Sequence, residues 1–137
     1  MASGINESGN IWRIGIEKPV YESGYGEFKQ AIVSLNNRAI ATSGNHRRFH
    51  EIDGVKYAHT IDPATGYPVK HNLLSVSVLA SDCITADAWA TALMASGLEK
   101  SIQLLEQHPE LDALLIYSDA EGNFKTFETE GLKDVIQ

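Results

Sequence analysis

The spacing of apolar positions changes along this chain, and the changes mark out its elements. Ile11-Trp12-Arg13-Ile14-Gly15-Ile16 alternates apolar with polar or small residues. That period of two is what a half-buried strand requires, because its successive side chains point to opposite faces. Pro19 ends the run. A β-rich run from Phe28 to Leu35 is closed by the turn pair Asn36-Asn37, and Ala39 to Thr42 reads as the returning strand of a hairpin. A second hairpin is predicted where Phe49 to Ile52 and Val55 to Ala58 flank Asp53-Gly54. That dipeptide readily takes the positive backbone angles of a two-residue turn. From Thr60 to Pro68, two prolines and Gly66 exclude regular structure and imply a rigid loop.

Leu73 to Ala80 is the strongest strand pattern in the chain. Beyond it the period lengthens. Asp82 can cap a helix from about Cys83 to Ser96 with Gly97 as its stop, and the small residues Ala86, Ala88, Ala90, Ala92 and Ala95 permit close packing. A second helix, Leu98 to Gln107, ends before Pro109. Leu111 to Tyr117 and Phe124 to Phe127 follow as strands around the polar turn Asp119 to Asn123. Antiparallel strands first, two helices late and strands after them indicate an α+β domain rather than alternating βαβ units.

Composition narrows the class. A length of 137 residues fits one domain with a single core, and 43% hydrophobic against 21% charged residues is the balance of a folded protein rather than a disordered tail. The formal charge is −7, and Arg47-Arg48 is too short to track a phosphate backbone, so nucleic acid is excluded as a partner. Cys83 is the single cysteine, so the chain can build neither a disulfide framework nor a cysteine-rich zinc site. Met1 to Asn10 carries no apolar signal-peptide core and no later run reaches transmembrane length, so the chain is expected to be soluble and without a leader. Ala2 to Asn6 leads almost at once into a strand-like segment, which points to a piece of a longer protein.

Two constellations could carry chemistry. His59 and Asp62 lie three residues apart where strand meets stiff loop. An imidazole there can take a proton from a hydroxyl near neutral pH, and it can equally be a histidine that only hydrogen-bonds a turn. Asp87 and Thr91, four residues apart on the first helix, share one face and both offer oxygen. That pair suits a hard cation such as Mg²⁺, which completes its octahedron with waters and substrate phosphates, and it also suits a solvated polar stripe. His46, His50, His71 and His108 have no metal-ligand spacing and read as surface or turn residues. Gly24-Tyr25-Gly26 lacks the context of a dinucleotide fingerprint, and Trp12, Trp89, Tyr57 and Phe49 read as core anchors.

The constellations fall in a fixed order with two further blocks: Ala41-Thr42-Ser43-Gly44-Asn45, Tyr57-Ala58-His59-Thr60-Ile61-Asp62-Pro63-Ala64-Thr65-Gly66-Tyr67-Pro68, Leu74-Ser75-Val76-Ser77-Val78 and Ala86-Asp87-Ala88-Trp89-Ala90-Thr91. The series resembles the FAD:protein FMN transferases, the ApbE family, across nearly the whole chain. The resemblance implies an antiparallel sheet with two helices packed on it, T-fold-like, forming the carboxy-terminal portion of a longer enzyme. It implies Mg²⁺-assisted transfer of FMN from FAD to a Thr or Ser hydroxyl of another protein, with release of AMP. By the family pattern His59 activates the acceptor hydroxyl, Asp87 and Thr91 coordinate Mg²⁺, Ile61 gives FAD a backbone contact, and Asp62 with Pro63 holds the loop. At His46 the family usually has tyrosine.

The same resemblance implies a bacterial enzyme, exported and anchored at the inner membrane facing outward, with a subunit of a membrane redox complex as acceptor. Two other readings use the same residues: a noncatalytic flavin- or nucleotide-binding domain, and a Mg²⁺-dependent FAD hydrolase with water in place of the acceptor. An unpaired strand edge would let the chain pair with another copy, leaving the oligomeric state open. Because the family's amino-terminal half carries much of the FAD pocket, the isolated 137-residue chain is expected to bind FAD weakly and transfer little. Covalent flavin on an acceptor protein measures this, and full turnover by the isolated chain would contradict it.

Overall fold

The computed structural model describes residues 1–17, 29–44, 49–52, 55–58 and 60–137. Among the described residues, eight strands and three helices run in the order β1 (Trp12–Glu17), β2 (Lys29–Leu35), β3 (Ala39–Gly44), β4 (Phe49–Ile52), β5 (Val55–Ala58), β6 (Leu73–Ala80), α1 (Cys83–Ser96), α2 (Leu98–Gln107), β7 (Asp112–Ser118), β8 (Phe124–Glu128) and α3 (Glu130–Lys133). The central layer is a four-stranded antiparallel sheet in the order β3-β6-β7-β8. The α+β class and the two helices packed on an antiparallel sheet are as the sequence predicts.

Both faces of this sheet are covered, which explains why β6 and β7 read as nearly unbroken apolar runs. Ala113 and Leu115 of β7 join Val76, Val78 and Ala80 of β6 in a core beneath α1 and α2. Leu114 and Ile116, with Leu79, face the other way onto Ile16 of β1, Val33 and Leu35 of β2, and Leu132 of α3. A register shift between Leu73 and Ser75 turns Leu73 to the helix side, against the alternation the rest of β6 keeps.

α1 begins where Asp82 accepts a 2.8 Å hydrogen bond from Thr85 N, and it buries Ala86, Ala90, Leu93 and Met94, the i, i+4, i+7, i+8 stripe that one helix face presents to a core. Its last carbonyls would be orphaned without help from outside the helix. Ser101 Oγ donates to Leu93 O at 2.8 Å and His71 Nε2 to Met94 O at 2.7 Å, while Ser96 Oγ reaches back to Ala92 O at 2.9 Å. Gly97, at φ 80°, lets α2 leave at once in a new direction.

The predicted hairpin between residues 28–35 and 39–42 does not form. β2 pairs with β1, and β3 pairs with β6 in the central sheet, so Asn36-Asn37 carries the chain from one layer to the next, with Asn37 at φ 51°. The reason is that both edges of β2 are taken. Opposite β1, the tail adds a short strand through Ile32 N to Gln137 O at 2.9 Å, Ser34 N to Val135 O at 2.8 Å and Gln137 N to Ile32 O at 2.8 Å. The second hairpin is present as β4 paired with β5, from Phe49 opposite Ala58 to Ile52 opposite Val55. Its Asp53-Gly54 turn lies outside the described residues, as do Pro19, Gly24-Tyr25-Gly26, His46 and Arg47-Arg48.

Trp89 is half-buried against the helix-side core as expected of an anchor, whereas Trp12 is 39% exposed, its indole N–H donating to Ser3 O. His71 is a turn residue, as the sequence predicts, half-buried and tying the strand-side turn to the end of α1. Arg38 Nη1 donates to Asp112 Oδ2 at 2.5 Å and its Nη2 to Leu79 O at 3.3 Å, linking the start of β3 to β6 and β7.

Leu93 is fully buried between α1 and the sheet. Leu93→Ala should therefore cost about 2–5 kcal/mol in urea unfolding, the range for a truncated core leucine. Ile84, 84% exposed on the same helix, should change stability by less than about 0.5 kcal/mol when replaced by alanine. Equal effects of the two substitutions would mean that α1 is not seated as described.

Candidate functional site

The loop after β5 is closed on itself by its own backbone. Ile61 and Pro68 form a β-bridge, Asp62 N donates to Tyr67 O at 2.9 Å, Gly66 N to Asp62 O at 2.8 Å, and Val69 N to Thr60 O at 3.0 Å. The Asp62 side chain adds an Asx turn, accepting from Ala64 N at 2.8 Å. Gly66 sits at φ 73°, where a side chain would be strained. The ring so formed holds Ile61 and Tyr67 49% and 73% exposed, at its rim. His59, immediately before this ring, lies outside the described residues.

On α1, Asp87 and Thr91 are both exposed and one turn apart, on a shared face. Thr91 has a partner that the sequence reading does not name as a site residue, Ser43 of β3, with the two hydroxyl oxygens 3.3 Å apart. Ser43 lies within one of the family blocks, and the alternation Ala39, Ala41, Ser43 along β3 is the signal that placed it toward the helix.

A cleft of about 520 Å³ opens between the closed loop and the α1–α2 junction, lined among others by Asp62, Lys70, His71, Asn72, Ala95 and Lys100. Ala95 is four residues beyond Thr91 and eight beyond Asp87, so the three form one inclined stripe along α1. Of that stripe, Ala95 lines the cleft, which Thr91 and Asp87 do not. Asp87 itself lies about 12 Å up the helix axis from Ala95, at 1.5 Å per residue. Gly97 is required here by a second constraint, since a Cβ on it would stand 3.2 Å from the His71 ring.

Among the described residues no group of three or more His, Cys, Asp or Glu could hold a metal. The donors present near Thr91 are one carboxylate and two hydroxyls, all hard oxygens. Such a set fits Mg²⁺, which takes few protein ligands, and does not fit Zn²⁺. Among the described residues no helix is long and apolar enough to cross a membrane.

The family model described as "ApbE family" matches residues 1–115. A protein of Salmonella typhimurium named FAD:protein FMN transferase is 39% identical over 133 residues, covering 97% of this chain and 37% of its own length. A protein of the same name from Treponema pallidum is 44% identical over 108 residues, covering 79% of this chain and 29% of its own length. The chain thus spans well under half the length of the curated relatives it matches. Among solved structures, the flavin transferase ApbE from Vibrio cholerae superposes with a TM-score of 0.79 at 39% identity over 96% of this chain and 40% of that one. The apbe protein of Thermotoga maritima gives 0.74 at 30% identity, over 96% and 40%.

The first turn of α1, which leads to Asp87, depends on its cap. Backbone and side-chain hydrogen bonds from Thr85 hold the Asp82 carboxyl below its ordinary value of 3.8. A carboxyl with a depressed folded value stabilises above its unfolded value and loses that contribution as pH falls through the folded one. Asp82→Ala should thus lower the melting temperature at pH 7, and the gap from the parent should close as pH drops below 3.8. A gap that persists undiminished at pH 2 would show that the cap does not act through its charge.

Proposed function

The chain belongs to the ApbE family, and from that premise we propose that it is a single domain forming the carboxy-terminal portion of a Mg²⁺-dependent FAD:protein FMN transferase. The reaction needs one bond made and one broken. The hydroxyl oxygen of an acceptor Thr or Ser bonds to the flavin-side phosphorus of FAD. The bond from that phosphorus to the bridging oxygen breaks, and AMP leaves on that oxygen. Phosphoryl transfer asks mainly for positioning and for neutralisation of charge on the phosphate oxygens.

In this reading His59 accepts the proton of the attacking hydroxyl. Ile61 offers its backbone to FAD. Asp62 keeps the loop shut by capping Ala64. Asp87 and Thr91 hold the cation, and Mg²⁺ bound there supplies charge neutralisation at the diphosphate. The observation that supports the reading is that Ala95, one turn beyond Thr91 on α1, lines the same cleft as Asp62 of the loop. Loop and helix end thus border one cleft, and the reading extends the site along α1 to Thr91 and Asp87. Family resemblance adds the acceptor, a subunit of a membrane redox complex, and the setting, an exported enzyme anchored outside the bacterial inner membrane.

The test uses the complete enzyme with FAD, Mg²⁺ and an acceptor protein. His59→Ala should lower transfer by about 10²–10⁴, the usual contribution of a positioned general base. Asp87→Ala should give a loss that added Mg²⁺ partly restores. AMP together with protein-bound flavin is the expected product pair, and AMP with free FMN would establish hydrolysis instead. Unchanged transfer by His59→Ala would remove the histidine from the mechanism.

A further inference from the structure

We propose that Ser43 is a positioning residue for the cation site, aiming the Thr91 hydroxyl by accepting its proton. The inference rests on the reading of Asp87 and Thr91 as cation ligands and adds a residue to it. A hydroxyl has one proton and two lone pairs. When its oxygen faces a cation, the proton must point elsewhere, and an unfixed rotor spends part of its time with the proton toward the charge.

The geometry gives that proton a destination. Ser43 Oγ lies 3.3 Å from Thr91 Oγ1, across the gap between β3 and α1. The usual alternative for a hydroxyl in a helix is the carbonyl one turn back, and Ser96 takes it at 2.9 Å from Ala92 O. Thr91 reaches over to the sheet instead.

The sheet is built to allow this reach. Ala39 and Ala41 share the helix-facing side of β3 with Ser43, and Ala86 and Ala90 of α1 are fully buried against that layer. Small residues on both elements bring helix and strand close enough for two short side chains to meet. Thr42, the neighbouring hydroxyl, points to the opposite face, where its oxygen lies 2.7 Å from Ser77 Oγ. Ser43 is thus the hydroxyl of β3 that meets Thr91 of α1.

Manganese(II) alone is a suitable probe, its free ion counted by electron paramagnetic resonance during titration of the complete protein. Ser43→Ala should weaken Mn²⁺ binding on the order of 10-fold, the low end for residues that orient a metal ligand. Ser43→Thr, which restores the hydroxyl, should recover most of the affinity, and a merely structural role would not show that rescue. Asp87→Asn serves as the separate arm. If it loses binding while Ser43→Ala keeps parental affinity, the role of Ser43 is overturned and the cation site stands. If Asp87→Asn binds Mn²⁺ as the parent does, the cation site itself is wrong and the proposal for Ser43 falls with it.

Discussion

The seating of α1 on the central sheet governs everything else in this molecule. The helix presents Ala86 and Ala90 where larger residues would hold it away, and Leu93 and Met94 then anchor its second half in the core over β6 and β7. Dispersion and burial reward the close approach, since interiors are packed as densely as organic crystals. The approach has a polar counterpart at the end of the helix. Three successive carbonyls, those of Ala92, Leu93 and Met94, receive hydrogen bonds from Ser96, Ser101 and His71. Two of those donors lie outside α1, so helix, following helix and strand-side turn are fixed to one another.

From that seating the site follows. The face of α1 turned from the core carries Asp87 and Thr91, and the end of the same stripe enters the cleft beneath the closed 60–69 loop. The loop needs no partner to keep its shape, because its ring of backbone hydrogen bonds and the Asx turn at Asp62 are internal. Loop and helix end border one cleft through Asp62 and Ala95. Family membership is the ground on which flavin transfer is proposed for this frame.

Much of this was legible in the residues. The bounds of α1, α2 and β6 follow from Asp82, Gly97, Pro109 and the apolar run 73–80, because caps, breakers and buried runs act locally. The pairing of β2 was not legible, because its edges are filled by β1 and by the tail at Val135 to Gln137, and no local pattern encodes a partner a hundred residues away. Of the proposed site, Asp87 and Thr91 stand out by helical spacing. Ser43 does not, since its meeting with Thr91 depends on how near α1 lies to β3. The carbonyl partner of His71 was not legible for the same reason, being supplied by the packed end of α1.

The central claim is that the oxygen pair of α1 and the loop after β5 act on one diphosphate. The most direct measurement is the effect of Mn²⁺ on the two phosphorus resonances of FAD bound to the complete enzyme. The account predicts strong paramagnetic broadening of those resonances, abolished by Asp87→Ala while FAD remains bound. Sharp phosphorus lines in the presence of protein-bound Mn²⁺, or broadening that survives Asp87→Ala, would contradict it.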